Sequence, residues 1–307
     1  MNELETRSQD KISYLDEINI FDIIKVLRDG VKTLAILCGL FFSVSVIYSI
    51  TIEDYYQSDS ILIPRESSGS NSISQFSGLA SLAGIGISSG SDSLVEVVEL
   101  ITSRDFVKHL IKFDDVLPSM MAVKEYDDDS KKIVFNSNLY NQKKRTWEGE
   151  DKENKKPTYL EAHRKYMSML TISEDNKTGL LNLSITHASP IFAKELLDLI
   201  IREANFLIRS KDIEASTEAL KFLKQELART QFLEIKASIN QLIEAQLETQ
   251  MMAKIYEDYS LIAIEPPYVP DTKSGPKRTL IVLFFSFLGI LLGIFYLIVK
   301  FLLREMS

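Results

Sequence analysis

The stretch EPPYVPDTKSGPKRTLIVLFFSFLGILLGIFYLIV, from Glu265 to Val299, joins a proline-rich segment to a long apolar run. That run has no charge from Thr279 to Val299, and as an α-helix it would rise about 30 Å, the hydrocarbon thickness of a bilayer. A similar run, TLAILCGLFFSVSVIYSITI, covers Thr33 to Ile52. Buried core helices are the alternative, but a soluble core rarely needs two such runs. We therefore predict transmembrane helices over 33–52 and 279–299.

Charges that flank the first run predict how the chain crosses the membrane. Basic residues precede it and acidic residues follow it (Lys25, Arg28 and Lys32; Glu53, Asp54 and Asp59). Because cytoplasmic flanks carry the excess of Lys and Arg, residues 1–32 are predicted to be cytoplasmic. The polar stretch before the run is too long, and in part too acidic, for a cleaved signal peptide. A second span returns residues 300–307 to the cytoplasm, so 53–278 is exported.

The exported segment carries 28 Lys and Arg against 35 Asp and Glu. This acidic balance argues against binding nucleic acid or another polyanion over a broad surface. The single cysteine, Cys38, lies in the first apolar run, so the exported part is predicted to lack disulfides and to depend on packing and assembly.

Local patterns predict the elements of the chain. DEINIFDIIKVLRDGVK (16–32) has the apolar stripe of an amphipathic interfacial helix, with Asn19 as its N-cap. The Ser-rich stretch 67–93 indicates a loop with a short apolar helix, and its glycines lack phosphate-loop spacing. We predict strands near 55–64 and 259–264, a hairpin over 170–187 with its turn at 175–179, helices over 93–113 and 157–170 (the second with Pro157 in its first turn), and a loop-rich region over 124–157.

Residues 191–265 contain no Gly and no Pro and are dense in strong helix formers. Ser189 and Pro190 supply an N-cap and a first-turn proline. Apolar residues recur in a heptad pattern that skips once, which predicts packing along a coiled-coil-like arm over about 190–258: Ile213, Leu220, Leu223, Leu227, Ile235, Ile239 and Leu242. Because both ends of the segment are tethered to one membrane, a helix that leaves a compact α/β base (53–187 and 259–265) must be matched by chain that returns. Whether the helix breaks near 210–212 stays open.

Two features flank the second span. Four prolines precede the span: Pro266, Pro267, Pro270 and Pro276. Because proline fixes φ and lacks an N–H donor, they predict a stiff connector over 266–276 that holds Lys277 and Arg278 at the headgroups. Small residues four apart, Gly289 with Gly293 and Gly39 with Ser43, predict close packing between spans, within or between subunits. Prolines also often end a domain before a span, and glycine is common in spans.

Candidate catalytic groups are few. Asp127-Asp128-Asp129 contains the D-x-D pattern of many glycosyltransferases, but a solvated charge run beside two lysines is the simpler interpretation. Trp147 would stack on a sugar or, more simply, pin a loop to the base. The histidines, His109, His163 and His187, belong to no metal or nucleophile motif. We expect no catalysis, no cofactor and no metal.

The order of these features resembles the Wzz-type polysaccharide co-polymerases, the chain length determinants of bacterial surface polysaccharide. The similar stretches are DEINIFDIIKVL, DNKTGLLNLSITHASPIFAKELLDLII, EALKFLKQELART and IEPPYVPDTKSGPKRTLIVLFFSFLGILLGIF. They extend over nearly the whole chain, whereas 124–156 matches no pattern. About eight residues follow the second span, so we expect the small class without a kinase.

The resemblance implies a membrane-proximal α/β base with a long helical arm, flanked by two transmembrane helices in an α+β chain. It implies a homo-oligomeric ring, often of eight subunits, in the inner membrane of a Gram-negative bacterium. It also implies a Wzy-type O-antigen polymerase as partner, together with the growing lipid-linked glycan. An adaptor of a polysaccharide export machine and a glycosyltransferase that uses Asp127 and Asp129 are the alternatives. A ligand-sensing receptor would need a cytoplasmic output domain.

Overall fold

Helices and strands are mixed along the chain, which confirms the predicted α+β class. The structure, a computed structural model, describes residues 28, 30–65, 90–148, 156–175 and 177–305. The amphipathic helix predicted at 16–32 and the loop predicted at 67–93 lie almost wholly outside these residues. The chain divides into one unit of 1–53 with 275–307 and a second unit of 54–274.

The elements of the described residues are, in chain order, α1 (Val31–Thr51), β1 (Tyr56–Pro64), α2 (Gly90–Thr102), α3 (Arg104–Leu110), α4 (Val116–Met121), β2 (Val123–Asp127), β3 (Lys132–Phe135), β4 (Tyr140–Asn141), β5 (Thr146–Trp147), α5 (Tyr159–Met169), β6 (Leu170–Asp175), β7 (Leu180–His187), α6 (Pro190–Arg229), α7 (Leu233–Ile255), β8 (Leu261–Glu265) and α8 (Arg278–Glu305).

Helices α1 and α8 are both long and apolar enough to cross a membrane. Only 11% of the apolar window of α1 and 17% of that of α8 is buried. A core helix of a soluble protein would be buried over most of its surface, whereas a lipid-facing helix keeps its apolar side chains on the outside. The two predicted spans therefore correspond to two apolar, mostly exposed helices.

A four-stranded antiparallel sheet in the order β6-β7-β1-β8 forms the centre of the second unit. Strand β1 pairs with β7 from Tyr56 opposite His187 to Leu62 opposite Leu181, and with β8 on its other edge. Strands β6 and β7 form the predicted hairpin, and Gly179 occupies its turn at φ +69°, a left-handed conformation that glycine adopts without strain. The hairpin prediction is confirmed.

One face of the sheet packs on the core. Fully buried side chains of the sheet, such as Leu62, Leu183 and Ile185, meet the first five turns of α6 and the short helices α2 to α5. Each such side chain contributes roughly 1.5–3 kcal/mol by leaving water. The core is therefore built on the strands that the sequence predicted together with the start of the long helix.

Two predicted helix boundaries are wrong. The single helix predicted over 93–113 is two helices, because Ser103 interrupts it and its hydroxyl accepts a hydrogen bond from the Phe106 N–H. The helix predicted to have Pro157 in its first turn begins later, at Tyr159. Thr158 and Glu161 form a capping box there, which leaves the proline outside the helix.

The region predicted to be loop-rich, 124–157, is also different from expectation. Strands β2 and β3 form one hairpin and β4 and β5 a second. Aromatic residues hold them together: the Tyr140 ring lies 5.5 Å from that of Phe135 and 5.1 Å from that of Trp147. Packing between aromatic rings far apart in sequence thus makes strands where the charge-rich local sequence indicates loops.

Residues 190–255 form two helices rather than one. Helix α6 begins with Ser189 as N-cap and Pro190 as predicted, and runs through 210–212 without a break. The chain turns at 230–232 and returns along α6 as α7, where Gln250 donates a hydrogen bond to the Thr217 hydroxyl at 2.9 Å. The skip in the heptad pattern, between Leu227 and Ile235, coincides with this turn.

Candidate functional site

The proline-rich connector lies along the half of β1 that β8 does not cover. Ser58 and Ser60 are 0% and 1% exposed, and their hydroxyls donate to the carbonyls of Tyr268 and Glu265, each at 2.7 Å. Proline has no N–H, so a segment with four prolines cannot form a regular ladder with β1. Side-chain hydrogen bonds are made instead: Ser58 attaches the connector to the sheet at Tyr268, and Ser60 bonds the last residue of β8, just before the connector.

The first and last residues of the second unit contact each other. The Ser274 N–H donates to the Tyr55 carbonyl at 2.9 Å, and the Lys273 ammonium lies 2.9 Å from the Asp54 carboxylate. Hydrogen bonding to Asp54 raises the pKa of Lys273, so this cation stays charged. The residues that adjoin the two predicted spans are therefore held side by side within this unit.

The six residues predicted for the connector and its end differ in exposure. Pro267 and Pro270 are buried, whereas Pro266 is exposed. Pro276 is partly buried, and Lys277 and Arg278 are exposed where α8 begins. The predicted role of the six residues, which is to transmit the orientation of the base to the span, stays a prediction.

The acidic turn between β2 and β3 has local partners. Asp127 accepts hydrogen bonds from the Ser130 hydroxyl and from the backbone of its own turn, and these lower the pKa of its carboxyl. Asp128 accepts from the Tyr56 hydroxyl at 2.9 Å and lies 3.7 Å from Lys273. Asp129 is exposed. Asp127 and Asp129 thus share one turn without converging on a common point, and Asp128 links the hairpin to the connector.

The two apolar helices α1 and α8 pack against each other at the glycines of α8. A Cβ placed on Gly289 would lie 2.8 Å from the Phe41 Cβ, and one on Gly293 would lie 2.6 Å from a methyl of Leu34. Gly39 has nothing within 4 Å of such a position, and Ser43 donates to the Gly39 carbonyl of its own helix. The pair Gly289 and Gly293 therefore lies in this contact, and Gly39 with Ser43 lies outside it.

The predicted arm residues lie mainly between α6 and α7. Leu220, Leu223 and Ile239 are buried, Ile213, Leu227 and Leu242 are half-buried, and Ile235 is 49% exposed. Other large apolar side chains of the hairpin are exposed, among them Phe232 at 73% and Leu233 at 83%. The heptad thus serves packing within the hairpin, while the turn presents apolar side chains outward.

Sequence reasoning missed two polar residues that hold β8 on α6. The amide of Asn205, 3% exposed, accepts from the N–H groups of Ser260 and Leu261, both at 2.8 Å, and donates to the Leu261 carbonyl at 2.9 Å. Asp212 accepts from the Tyr259 hydroxyl at 2.8 Å, and burial raises the pKa of its carboxyl. A buried asparagine on an otherwise apolar helical face is the signal that would have found the first.

The three histidines are far from forming one site. His109 lies 2.8 Å from the Glu203 carboxylate, and His163 contacts the Thr102 carbonyl at 2.9 Å. His187 is buried and accepts from the Ser189 N–H, so its other ring nitrogen donates to the Ser119 carbonyl at 2.9 Å. Within the described ranges, no three His, Cys, Asp or Glu side chains are placed to hold a metal ion together.

Acid should destabilise the protein through His187. Burial lowers the pKa of His187 from 6.5 to about 4. The unfolded chain therefore takes up a proton below pH 6.5 while the folded chain does not, and stability falls as pH drops from about 6.5 to about 4, by up to roughly 3 kcal/mol. Urea unfolding of the full-length protein in detergent, followed by the fluorescence of Trp147, measures this slope.

His187→Gln keeps a side-chain donor for the Ser119 carbonyl but does not titrate in this range. We expect the variant to lose less stability than the native protein between pH 6.5 and pH 4. Equal losses in the two proteins would show that His187 does not carry the acid sensitivity.

Comparison with known proteins identifies one family. Residues 16–112 match the family model of the chain length determinant protein, Wzz. A search of curated proteins finds no match. Among solved structures, a full-length bacterial polysaccharide co-polymerase is 12% identical, with 94% of this chain and 99% of that chain covered and a TM-score of 0.40. A fragment of WzzB, a polysaccharide co-polymerase from Salmonella Typhimurium, is 14% identical, with 73% and 100% covered and a TM-score of 0.30.

The matched region runs from the segment before α1 through β1 and α2 into the loop after α3. It includes the first apolar helix and the strand on which the connector lies. The resemblance found in the sequence is therefore confirmed over the region that the family model covers: residues 16–112 are similar to the chain length determinant family, Wzz.

Proposed function

We propose that this protein sets the modal chain length of a lipid-linked surface polysaccharide, the O-antigen of lipopolysaccharide, without catalysing a reaction itself. It acts with a Wzy-type polymerase in the inner membrane of a Gram-negative bacterium and assembles as a ring-shaped homo-oligomer. The observation that carries the proposal is the family match over residues 16–112.

Three features of the chain support this role. The two apolar helices α1 and α8 suit an inner-membrane protein with both termini in the cytoplasm and 53–278 in the periplasm. Ser58 attaches the connector to β1, and Ser60 bonds the end of β8 from which the connector leaves, which suits a part that holds the base in a fixed orientation to the span. The exposed apolar side chains of the helical hairpin, including Phe232 and Leu233, suit contacts with further copies of the chain.

Deleting the gene tests the proposal directly. We expect the clustered banding of the cell's O-polysaccharide on a gel to become a random distribution of lengths, and a plasmid copy to restore the clusters. A catalytically inactive role predicts that Asp127→Ala with Asp129→Ala restores them as well as the native gene. Unchanged banding in the deletion strain would contradict length control, and complete loss of polymer would indicate a synthetic enzyme or an export component.

A further inference from the structure

A groove of about 820 Å³ lies on the second unit, where the start of α6 faces the two hairpins β2–β3 and β4–β5 and the loop between α3 and α4. Ligand pockets in proteins usually enclose roughly 300–1,000 Å³. The groove is therefore large enough for a ligand of several rings. It is lined by none of the predicted connector residues, none of the four small residues of the predicted spans and none of the seven heptad residues of the arm.

Backbone conformation sets this groove apart from the rest of the described chain. Asp115, Lys131 and Arg145 are the non-glycine residues with positive φ in the described ranges, at +65°, +53° and +51°, and all three line the groove. A left-handed conformation costs a non-glycine residue roughly 1–2 kcal/mol. Such strain persists where the surrounding structure or the function requires the side chain.

The third hairpin of this unit provides an internal comparison. The β6–β7 turn places Gly179 at its left-handed position, as hairpin turns prefer. The two hairpins that line the groove place Lys131 and Arg145 at theirs instead. At both left-handed turn positions beside the groove, a long basic side chain thus stands where the third hairpin has glycine.

The rim of the groove carries charged side chains of both signs. It has four basic and four acidic side chains: Lys131, Lys132, Arg145 and Arg202, with Asp114, Asp115, Glu195 and Asp198. Arg145 donates two hydrogen bonds to Asp115, at 2.7 and 2.8 Å, which fixes both side chains. A balanced rim creates no net field for a polyanion or a polycation, whereas a hydroxyl group both donates and accepts and is satisfied by either kind of neighbour.

The floor of the groove is apolar and partly aromatic. Phe113, Ile133, Phe135 and Ile191 are half-buried there, and the Phe135 ring packs edge-on against Tyr140. Aromatic and aliphatic side chains pack well against the C–H faces of a pyranose ring, while its hydroxyls point sideways to a polar rim. The combination matches a carbohydrate better than an apolar ligand or an ion.

We propose that this groove binds a short stretch of oligosaccharide, with Lys131 and Arg145 as donors on its rim and Phe135 in its floor. This proposal rests on the proposed function, because the oligosaccharide is then part of the growing lipid-linked glycan. Binding of the glycan at the base would keep the polymer beside the protein that sets its length.

Glycine at the two strained positions provides the test. Lys131→Gly with Arg145→Gly removes two rim donors but relieves the left-handed conformations, so the unfolding temperature should stay the same or rise. The probe is a size-fractionated set of oligosaccharides released by mild acid from the lipopolysaccharide of the producing strain. Titrated against full-length protein in nanodiscs, they should bind the double variant about tenfold more weakly than the native protein. Lys177→Ser, which removes a lysine from the β6–β7 turn, is the matched control and should bind normally.

Affinity of the double glycine variant within twofold of native, an equal loss in Lys177→Ser, or a native protein that binds none of the oligosaccharides would each overturn the groove proposal. Its failure is distinguishable from failure of the proposed function. If the oligosaccharides do not bind but deletion of the gene still randomises the polysaccharide lengths, length control stands and the groove assignment is wrong. If they bind but deletion leaves the banding unchanged, the groove stands as a carbohydrate site and length control is wrong.

Discussion

Replacing Asn205 with alanine is expected to lower the free energy of unfolding by about 3–5 kcal/mol. The Asn205 amide makes three hydrogen bonds to the backbone at the start of β8, and it is almost fully buried. Alanine leaves the N–H groups of Ser260 and Leu261 and the Leu261 carbonyl without their partner, away from water. Each buried polar group that loses its partner costs roughly 1–3 kcal/mol.

The loss should be visible as a lower midpoint of urea unfolding in full-length protein, followed by the fluorescence of Trp147, which packs against the core. Asn240→Ala is the matched control, because Asn240 is exposed on α7 and should change stability by no more than about 0.5 kcal/mol. The uncertainty of this measurement is about 0.5 kcal/mol. If the free energy of unfolding of Asn205→Ala lies within about 1 kcal/mol of the native value, other contacts hold β8 in place.

The effect should extend beyond stability. Strand β8 leads directly into the connector, and Ser60 bonds the last carbonyl of that strand. A displaced β8 therefore displaces the connector along β1. Under the proposed function, Asn205→Ala should also broaden the distribution of polysaccharide lengths at a temperature at which the protein still accumulates.

Replacing Gly289 with leucine is expected to separate the two spans. A side chain at Gly289 would start 2.8 Å from the Cβ of Phe41, an atom that cannot turn away because it belongs to the root of its side chain. In lipid, close approach of helices is held mainly by van der Waals contact, so the loss is not offset by a hydrophobic gain elsewhere. Gly293→Leu should act in the same direction, although less strongly, because it meets only a terminal methyl of Leu34.

Cross-linking measures the separation. The rings of Tyr48 and Phe285 lie 6.1 Å apart on the facing helices. In a Cys38→Ser background, cysteines at these two positions should join efficiently with a short bifunctional maleimide. We expect Gly289→Leu to lower the cross-linking yield severalfold. A tenfold shift in the equilibrium between packed and separated helices corresponds to roughly 1.4 kcal/mol.

Gly39→Leu is the matched control, since a side chain at Gly39 has no neighbour within 4 Å. It should leave the cross-link between the two spans of one copy unchanged. If Gly39→Leu lowers the yield as much as Gly289→Leu, the contact between α1 and α8 is not the one described. If Gly39→Leu alone reduces the size of the detergent-purified oligomer, the small residues Gly39 and Ser43 pack between copies.

Several parts of the candidate site could be predicted from the sequence because their signals are local. The pairing of glycines at 289 and 293 places both on one helical face, and proline removes N–H donors wherever it stands. The hydroxyls that attach the connector to β1 could not be predicted, because Ser58 and Tyr268 are far apart in the sequence. The same holds for Asp128, whose partners Tyr56 and Lys273 come from opposite ends of the second unit.

The sequence by itself determined the two apolar helices, the β6–β7 hairpin, the start of α6 after Ser189 and the family similarity of residues 16–112. Each depends on residue type at short spacing, such as an uncharged run, alternation around Gly179, or a cap followed by proline. Only the tertiary structure decided that α6 turns back as α7, that 124–148 forms two hairpins, and that three left-handed residues meet at one groove. Those features depend on contacts between residues distant in the chain, and side-chain packing at such distances overrides local propensity.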